Sequence, residues 1–274
     1  IGRPTPRLDA AAKTDGSARF GIDVQQVGLL HAAIQFCPTR LGQVQSCDEA
    51  PARSRPGVKA VLRIPPLNGG SGGMAVVAES WWQARQAAEL LQVQWDHGPL
   101  AGFDSDAALA GLSTLLDQEE GFAFHREGDV DAALAAATRR IEAEYRAPWL
   151  AHSTLEPMNC TVQLAEDGRS ATVWAPTQVP GLARRAAAQA LGLESEAVTV
   201  HVTLLGGGFG RRLDVDFVAQ AAAIARAVPG RPVRTFWTRE QDMRHDFYRP
   251  ACVSRFTAGL DASGRLVAWK NTSA

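Results

Sequence analysis

A run of glycines between a predicted strand and a predicted helix limits the possible folds of this chain more than any other segment. Gly206-Gly207-Gly208-Phe209-Gly210 follows Val198–Leu205, an apolar run typical of a strand, and an apolar face from Leu213 to Val228 predicts a helix. Glycines tolerate positive φ and let a backbone approach a ligand, and a helix N-terminus attracts anions. The unit is therefore either a loop that cradles an anion or a tight turn without a ligand.

Two arginines, Arg211 and Arg212, directly follow this glycine run and add donors suited to phosphate-like oxygens. Neither common nucleotide fingerprint fits, because the run lacks a Gly-Lys-Ser/Thr ending and does not have GxGxxG spacing. A generic nucleotide-binding module that uses the glycine run alone remains an alternative.

The composition is typical of a globular protein, with 46% hydrophobic and 21% charged residues among 274 and a net charge of -1. Because the charge is close to zero, we do not expect a nucleic-acid partner. No apolar run reaches the roughly 18–20 residues that cross a bilayer, so no membrane span is expected in this chain.

Four cysteines, Cys37, Cys47, Cys160 and Cys252, are scattered without a CxxC pair. This spacing argues against a zinc site or an iron–sulfur cluster held by this chain alone, and we expect thiols without chemistry. A disulfide between Cys37 and Cys47 remains open. The chain begins at Ile1 and carries no export signal, so we expect it to be cut from a longer protein.

The pattern of strands and helices predicts two α+β blocks around a connecting segment, with boundaries at residues 1–97, 98–130 and 131–274. The first block contains predicted strands and helices in the order Ser17–Val24, Leu29–Cys37, helix Asp48–Arg55, Val58–Ile64, Met74–Ser80, helix Trp81–Leu91 with Ser80 as N-cap, and Gln92–Trp95. A flexible glycine-rich loop is predicted over Pro65–Gly73.

The connecting segment is predicted to hold one helix near Ala107–Leu116 and the acidic run Asp117 to Glu120. In the second block we predict helix Val130–Arg139, strand Ile141–Arg146, the hairpin Cys160–Ala165 and Ala171–Ala175, helix Leu182–Leu191 ended by Gly192, strand Val233–Thr238, and the hairpin Arg255–Leu260 and Leu266–Trp269.

Several segments together resemble the molybdopterin-binding subunits of the xanthine dehydrogenase/aldehyde oxidase family. Thr203–Asp216 (TLLGGGFGRRLDVD) resembles the family's glycine loop, and Val173–Pro180 (VWAPTQVP) resembles its Thr-Gln element. His152–Cys160 (HSTLEPMNC) and Trp237–Pro250 are similar to the isoquinoline 1-oxidoreductase beta branch, and Gly2–Val24 is similar to the start of the family's α/β hammerhead domain. The combination of these segments is far more specific than any one of them.

The resemblance implies an α+β fold, in which a hammerhead-like domain is followed by part of a molybdenum-cofactor-binding domain. In the family the glycine loop and its Phe, here Phe209, lie against the molybdenum centre, and a glutamine, here Gln178, hydrogen-bonds an oxo ligand. The implied cofactor-binding residues are Gln178, Gly206, Gly207, Gly208, Phe209, Gly210 and Arg211. The implied cofactor is molybdenum-molybdopterin, in the cytosine dinucleotide form.

The resemblance also implies a molybdenum hydroxylase that oxidises an aldehyde or N-heteroaromatic carbon with water as the oxygen source. A separate small subunit with [2Fe–2S] clusters would accept the electrons, in the bacterial periplasm or cytoplasm. The family's catalytic glutamate lies near its C-terminus and matches no position here, so we expect no catalytic residue and no activity in this chain alone. Leu213 stands where xanthine-oxidising relatives carry a glutamate, which disfavours xanthine.

Each residue also has an ordinary structural interpretation. Gln178 can be a turn residue, Phe209 a core aromatic, and Glu156 a buried structural carboxylate, the interpretation that we favour for Glu156. Asp242 to Asp246 is predicted to be a solvated face, and the six histidines, which lack metal-type spacing, are predicted to be structural or solvated: His31, His97, His125, His152, His201 and His245. A folded chain that binds nothing tightly is a further alternative to the enzyme hypothesis.

Overall fold

A computed structural model describes residues 2–118 and 121–274, so Ile1 and the last two residues of the acidic run lie outside the described residues. The chain forms two compact units, Ile1–Ala101 with His152–Phe247, and Gly102–Ala151 with Tyr248–Ala274. The domain boundaries predicted near residues 97 and 130 do not coincide with these units and stay a prediction.

Strands and helices alternate irregularly along the chain, which confirms the predicted α+β class. The strands are β1 (Leu30–Phe36), β2 (Gln43–Asp48), β3 (Val58–Ile64), β4 (Gly73–Ala78), β5 (Gln92–Asp96), β6 (Arg139–Ala147), β7 (Asn159–Leu164), β8 (Ala171–Ala175), β9 (Val198–Val202), β10 (Pro232–Phe236), β11 (Cys252–Leu260) and β12 (Leu266–Ser273). The helices are α1 (Ala10–Thr14), α2 (Ala50–Arg53), α3 (Trp81–Ala88), α4 (Ser105–Gln118), α5 (Val130–Ala136), α6 (Pro180–Leu191), α7 (Asp216–Ala225) and α8 (Arg239–Arg244).

The first unit is built on a seven-stranded sheet with the order β3-β4-β1-β10-β7-β8-β9. Strand β1 pairs in parallel with β10, with Leu30 opposite Val233, and β8 pairs in parallel with β9. The other neighbours are antiparallel, including the predicted hairpin of β7 and β8, whose turn contains Gly168 at φ +69°. The sheet therefore joins early and late segments of the sequence.

Helices bury both faces of this sheet. On β4, Ala75 and Val77 belong to the core beneath α6 and α7, whereas Met74 and Val76 belong to the core beneath α2 and α3. Strand β4 is consequently buried at every residue, which explains why its sequence is continuously apolar. As predicted, Ser80 caps α3, because its hydroxyl accepts a hydrogen bond from the Gln83 N–H at 3.3 Å.

The second unit contains a three-stranded antiparallel sheet with the order β12-β11-β6, with α4 against β11 and α5 against β12. A shallow apolar cavity of about 250 Å³ lies on this sheet, and Tyr145, Phe256 and Trp269 are among the residues that line it. Within the described residues, no helix is both long and apolar enough to cross a membrane.

Three predicted local structures are wrong. Ser17–Val24 is not a strand, because the carboxylate of Asp23 accepts the Phe20 N–H at 3.0 Å and turns the chain into the short 3₁₀ helix Gly21–Asp23. Leu213 lies before α7 and is 49% exposed rather than on its buried face. The stretch from Asp242 to Asp246 is not a solvated face, since both carboxylates are buried.

The glycine-rich loop between β3 and β4 is present, but it is packed rather than free. Gly70 and Ser71 are buried, and a Cβ atom on Gly70 would lie 2.9 Å from the Cβ of Asp216. The absence of side chains therefore lets this loop lie against the start of α7.

Candidate cofactor-binding site

The glycine run forms a sharp bend, called the glycine bend below, over Gly206–Gly210. Gly207 and Gly210 have φ values of +100° and +103°, and Phe209 has φ +53°. Positive φ is rare for a bulky residue and costs roughly 1–3 kcal/mol unless the surroundings enforce it. The Phe209 side chain is 76% exposed, so its interpretation as a core aromatic is wrong.

Two glycines of the bend permit contacts that any side chain would block. A Cβ on Gly206 would lie 2.3 Å from the Cβ of Glu156, and a Cβ on Gly208 would lie 2.7 Å from Oε1 of Gln178. The structure thus brings Gln178 to the glycine bend, across 30 residues of sequence. These glycines are required for close approach between segments and not only for backbone freedom.

The carboxamide of Gln178 is held by the bend and still has donors to offer. Its Oε1 accepts the Gly210 N–H at 3.3 Å, while the Gln178 N–H donates to the carbonyl of Arg212 at 3.0 Å. Gln178 is exposed, and its Nε2 donates to no group in the described part of the chain. Gln178 is therefore more than a turn residue, because it is part of the surface that the glycines form.

The bend also presents backbone donors. The N–H groups of Gly207, Gly208 and Phe209 donate to no group in the described part of the chain. Consecutive free N–H groups in a turn form a concave site for anionic oxygens. These free N–H groups favour the first of the two alternatives, a loop that cradles an anion, which stays a prediction.

Beneath the bend, Glu156 is a structural carboxylate, as we favoured from the sequence. Its Oε1 accepts the Ile22 N–H and Asn159 Nδ2, both at 3.0 Å. Its Oε2 accepts the Gly206 N–H at 2.9 Å and Nη2 of Arg212 at 3.1 Å. Four donors satisfy the carboxylate, so Glu156 ties the bend to its surroundings.

The two arginines do not supply free donors to an anion, contrary to our expectation. Arg211 and Arg212 are 1% and 0% exposed. Arg211 binds Asp216 through Nη1 and Nη2, each at 2.9 Å, and its Nε lies 2.9 Å from Asp246. A buried guanidinium needs such partners because its desolvation is costly. The cofactor-binding role of Arg211 remains a prediction that this geometry does not favour.

Sequence reasoning missed a histidine beside the bend. His152, expected only to be structural or solvated, places Nδ1 3.0 Å from Oδ1 of Asp246. Asp214 is half-buried in the same cluster, and burial raises the pKa of its carboxyl group, against the opposing effect of Arg211. No local signal links these residues, because His152 and Asp246 lie 94 positions apart.

All four cysteines are free thiols, so the disulfide left open between Cys37 and Cys47 does not form. Burial raises the pKa of the Cys160 thiol strongly. Among the described residues, no three histidine, cysteine, aspartate or glutamate side chains are grouped as metal ligands. A groove of about 880 Å³ between Pro65-Pro66 and helices α6 and α7 contains none of the predicted site residues.

The donors at the bend fit a cofactor whose metal is carried by its own organic ligand. Backbone N–H groups and a carboxamide bind oxygens rather than a metal ion, and a Cβ on Gly208 would collide with Gln178. The exposed ring of Phe209 adds an apolar surface next to these donors. Molybdenum-molybdopterin, which offers phosphate and oxo oxygens beside a flat ring system, matches this combination of donors and an aromatic face.

The chain is similar to proteins with known activities. It is 33% identical over its whole length to the isoquinoline 1-oxidoreductase subunit beta of Brevundimonas diminuta, a match that covers 35% of that protein. It is also 33% identical to the membrane-bound aldehyde dehydrogenase [pyrroloquinoline-quinone] of Gluconacetobacter polyoxogenes, over 95% of this chain and 34% of that protein. The chain therefore spans about a third of the length of these relatives.

The fold is shared with quinoline 2-oxidoreductase from Pseudomonas putida 86, with a TM-score of 0.76, 24% identity, and coverage of 100% of this chain and 39% of that one. The family model described as the molybdopterin cofactor-binding domain matches residues 116–274, more than half of the chain. The glycine bend and Gln178 lie within the matched range. The chain belongs to the molybdopterin cofactor-binding domain family.

Proposed function

We propose that this chain is part of a molybdenum hydroxylase and that the glycine bend holds the molybdenum-molybdopterin cofactor. The observation that carries the proposal is the set of three free N–H groups at Gly207, Gly208 and Phe209, with the amide of Gln178 beside them. A buried or side-chain-filled bend would offer none of these donors.

Each of these residues has a specific task. The free N–H groups would donate to anionic oxygens of the cofactor. The Nε2 of Gln178 donates to an oxygen ligand, because its Oε1 is already fixed by Gly210. The exposed ring of Phe209 would cover part of the bound cofactor and exclude water from it. When bound, the cofactor supplies the oxidation of a carbon atom, with water as the source of oxygen.

The proposed substrate is an aldehyde or an N-heteroaromatic compound. Leu213, half-exposed three residues after Gly210, gives the site an apolar rim where an acidic side chain would bind a more polar heterocycle. The proposed partner is a small subunit with [2Fe–2S] clusters, and the proposed cofactor form is the cytosine dinucleotide. The compartment would be the bacterial periplasm or cytoplasm.

A generic nucleotide-binding role is less well supported. Such a role would use the glycine bend alone, because the guanidinium groups of Arg211 and Arg212 are engaged with carboxylates in the interior and add no free donor for phosphate. The alternative that this chain alone folds but binds nothing tightly does not conflict with our proposal, because the proposal concerns the full-length protein.

The test is cofactor analysis of the full-length protein purified with its partner subunit. We expect molybdenum and pterin in about equal amounts, measured by metal analysis and by pterin fluorescence after oxidation. Gln178→Ala should lower substrate oxidation about 10- to 100-fold, because it removes a hydrogen bond to a charged oxygen. Gln189→Ala, an exposed glutamine on α6, serves as the control and should leave oxidation unchanged.

One relative carries pyrroloquinoline quinone in its name, so the same preparation should also be assayed for that quinone. A protein that contains the quinone instead of pterin would contradict the proposal. So would a preparation without molybdenum that oxidises its substrate at the full rate.

A further inference from the structure

The imidazole ring of His152 lies directly against the glycine bend. Its Nε2 is 3.5 Å from the position that a Cβ of Gly210 would occupy. Through its backbone N–H, the same glycine is hydrogen-bonded to Gln178. Gly210 is therefore flanked by two polar side chains, of which only Gln178 was expected to contact a cofactor.

A buried network of ion pairs fixes the orientation of this ring. His152 Nδ1 lies 3.0 Å from Oδ1 and 3.1 Å from Oδ2 of Asp246, and the His152 backbone N–H donates to the same carboxylate. Asp246 is 1% exposed and is itself held by Arg211, which also binds Asp216. Because the carboxylate of Asp246 accepts hydrogen bonds, Nδ1 is the ring nitrogen that donates to it, and Nε2 is left on the side of the glycine bend.

The other side of the ring is left open. Nε2 of His152 has no hydrogen-bond partner among residues 2–118 and 121–274, and the side chain is 19% exposed. A histidine whose only role was to bind the buried carboxylate of Asp246 would use Nδ1 alone. Here the second nitrogen is held at a defined position beside the bend, which is how proteins prepare a ligand contact.

We propose that His152 is a further cofactor-binding residue, whose Nε2 accepts a hydrogen bond from an N–H or O–H group of the cofactor on the glycine bend. This inference rests on the proposed function. It adds a hydrogen-bond acceptor to a site whose other groups, the N–H groups of the bend and Nε2 of Gln178, are donors. A pterin ring system, which carries both N–H groups and oxygens, requires both kinds of partner.

Two substitutions separate this role from a purely structural one. In His152→Asn the amide occupies the place of Nδ1, so the hydrogen bond to Asp246 is kept and the group at the bend is lost. In His152→Gln the longer side chain carries its amide to the place of Nε2 and gives up the bond to Asp246. His97→Gln is the control, because His97 is exposed and hydrogen-bonded to Thr39.

The measurement is the rate at which full-length holoprotein releases pterin, followed by fluorescence after ultrafiltration and oxidation, together with thermal unfolding. We expect His152→Asn to unfold like the wild type and to release pterin about three- to tenfold faster, the effect of one net hydrogen bond. His152→Gln should release pterin within about twofold of the wild-type rate and unfold at a lower temperature. His97→Gln should match the wild type in both measurements.

Wild-type release from His152→Asn would overturn the inference and leave the proposed function intact. Equally fast release from both His152 variants would also overturn it, because the group at Nε2 would then be irrelevant. A wild-type protein without any pterin would instead overturn the proposed function itself, so the two failures are distinguishable.

Discussion

Glu156 and Gly206 are joined by two hydrogen bonds, one in each direction. The Glu156 N–H donates to the carbonyl of Gly206 at 2.9 Å, and the Gly206 N–H donates to Oε2 of Glu156, also at 2.9 Å. This pair connects the segment before β7 to the first residue of the glycine bend. The geometry of the bend therefore depends on a carboxylate that lies 50 residues earlier in the sequence.

Glu156→Gln should destabilise the protein although it changes only one atom. Each carboxylate oxygen of Glu156 accepts hydrogen bonds from two donors. In either orientation of the glutamine amide, the NH₂ group would point at two of these donors and could not accept from them. The buried charge of Arg212 also loses its partner, which costs about 3 kcal/mol. Urea denaturation of the full-length protein measures the loss. Glu166→Gln, at an exposed glutamate, should change the free energy of unfolding by less than about 0.5 kcal/mol.

Gly208→Ala should reduce cofactor content. The new Cβ would lie 2.7 Å from Oε1 of Gln178, so the carboxamide must move away from Gly210. We expect molybdenum and pterin content to fall several-fold while the far-ultraviolet circular dichroism stays that of the wild type. Gly181→Ala is the matched control, because nothing lies within 4 Å of its Cβ and alanine favours α6 by about 0.5–1 kcal/mol. Undiminished cofactor content in Gly208→Ala would refute the assigned geometry.

Arg211→Lys should lower the stability of the protein, although both side chains carry a positive charge. The guanidinium binds Asp216 through two nitrogens and lies 5.1 Å from the ring centroid of Phe247. A lysine ammonium cannot reproduce the fork, so two buried carboxylates lose partners at a cost of about 3 kcal/mol. A lowered melting temperature is the expected result. Arg185→Lys, on the exposed face of α6, should melt like the wild type, and equal melting of both variants would contradict the role of Arg211.

Stability should fall in mild acid because of His245. Burial lowers the pKa of its imidazole to about 4, and Arg244 and Arg40 add to the effect. The unfolded chain binds a proton near the ordinary value of about 6.5 and the folded chain does not, so stability is full above that pH and declines as the pH falls toward 4. The expected loss is about 3 kcal/mol, measured by denaturation at several pH values.

His245→Gln should flatten this acid dependence between about pH 6.5 and 4, because the variant has no proton to gain at this position. The amide of glutamine reaches the place of Nε2 and gives up the hydrogen bond that His245 Nδ1 makes with the hydroxyl of Ser71 at 3.2 Å, a loss that lowers stability at every pH and leaves the slope unaffected. His97→Gln, an exchange at an exposed histidine, should retain the wild-type slope. An unchanged slope in His245→Gln would assign the acid sensitivity to other groups.

Local periodicity was enough to find most of the sheet. Strands β3 and β8 have the bounds predicted from sequence, Val58–Ile64 and Ala171–Ala175, because apolar β-branched runs end there at turn residues. Gly192 ends α6 at φ +72°, as its position after an amphipathic pattern predicted. These features depend on neighbouring residues alone, so a sequence contains the information needed to place them.

Features that depend on distant partners were missed. Strand β2, Gln43–Asp48, is largely polar and is defined by pairing with β5. The burial of Asp242 depends on the Met158 N–H, which donates to that carboxylate from 84 residues earlier in the sequence. In the site, motif resemblance led to the glycine bend and Gln178, whereas the pairing of His152 with Asp246 exists only in three dimensions.

The parallel pairing of β1 with β10 has a consequence for biosynthesis. Leu30–Ala32 of β1 align with Val233–Thr235, which leave the ribosome roughly 200 residues later. At about 5–20 residues per second, the nascent chain carries β1 without that neighbour for roughly 10–40 s. An unpaired strand edge invites pairing with other chains. Slow elongation or crowded polysomes should therefore favour aggregation of this protein, and a chaperone that shields the edge of β1 should raise its yield.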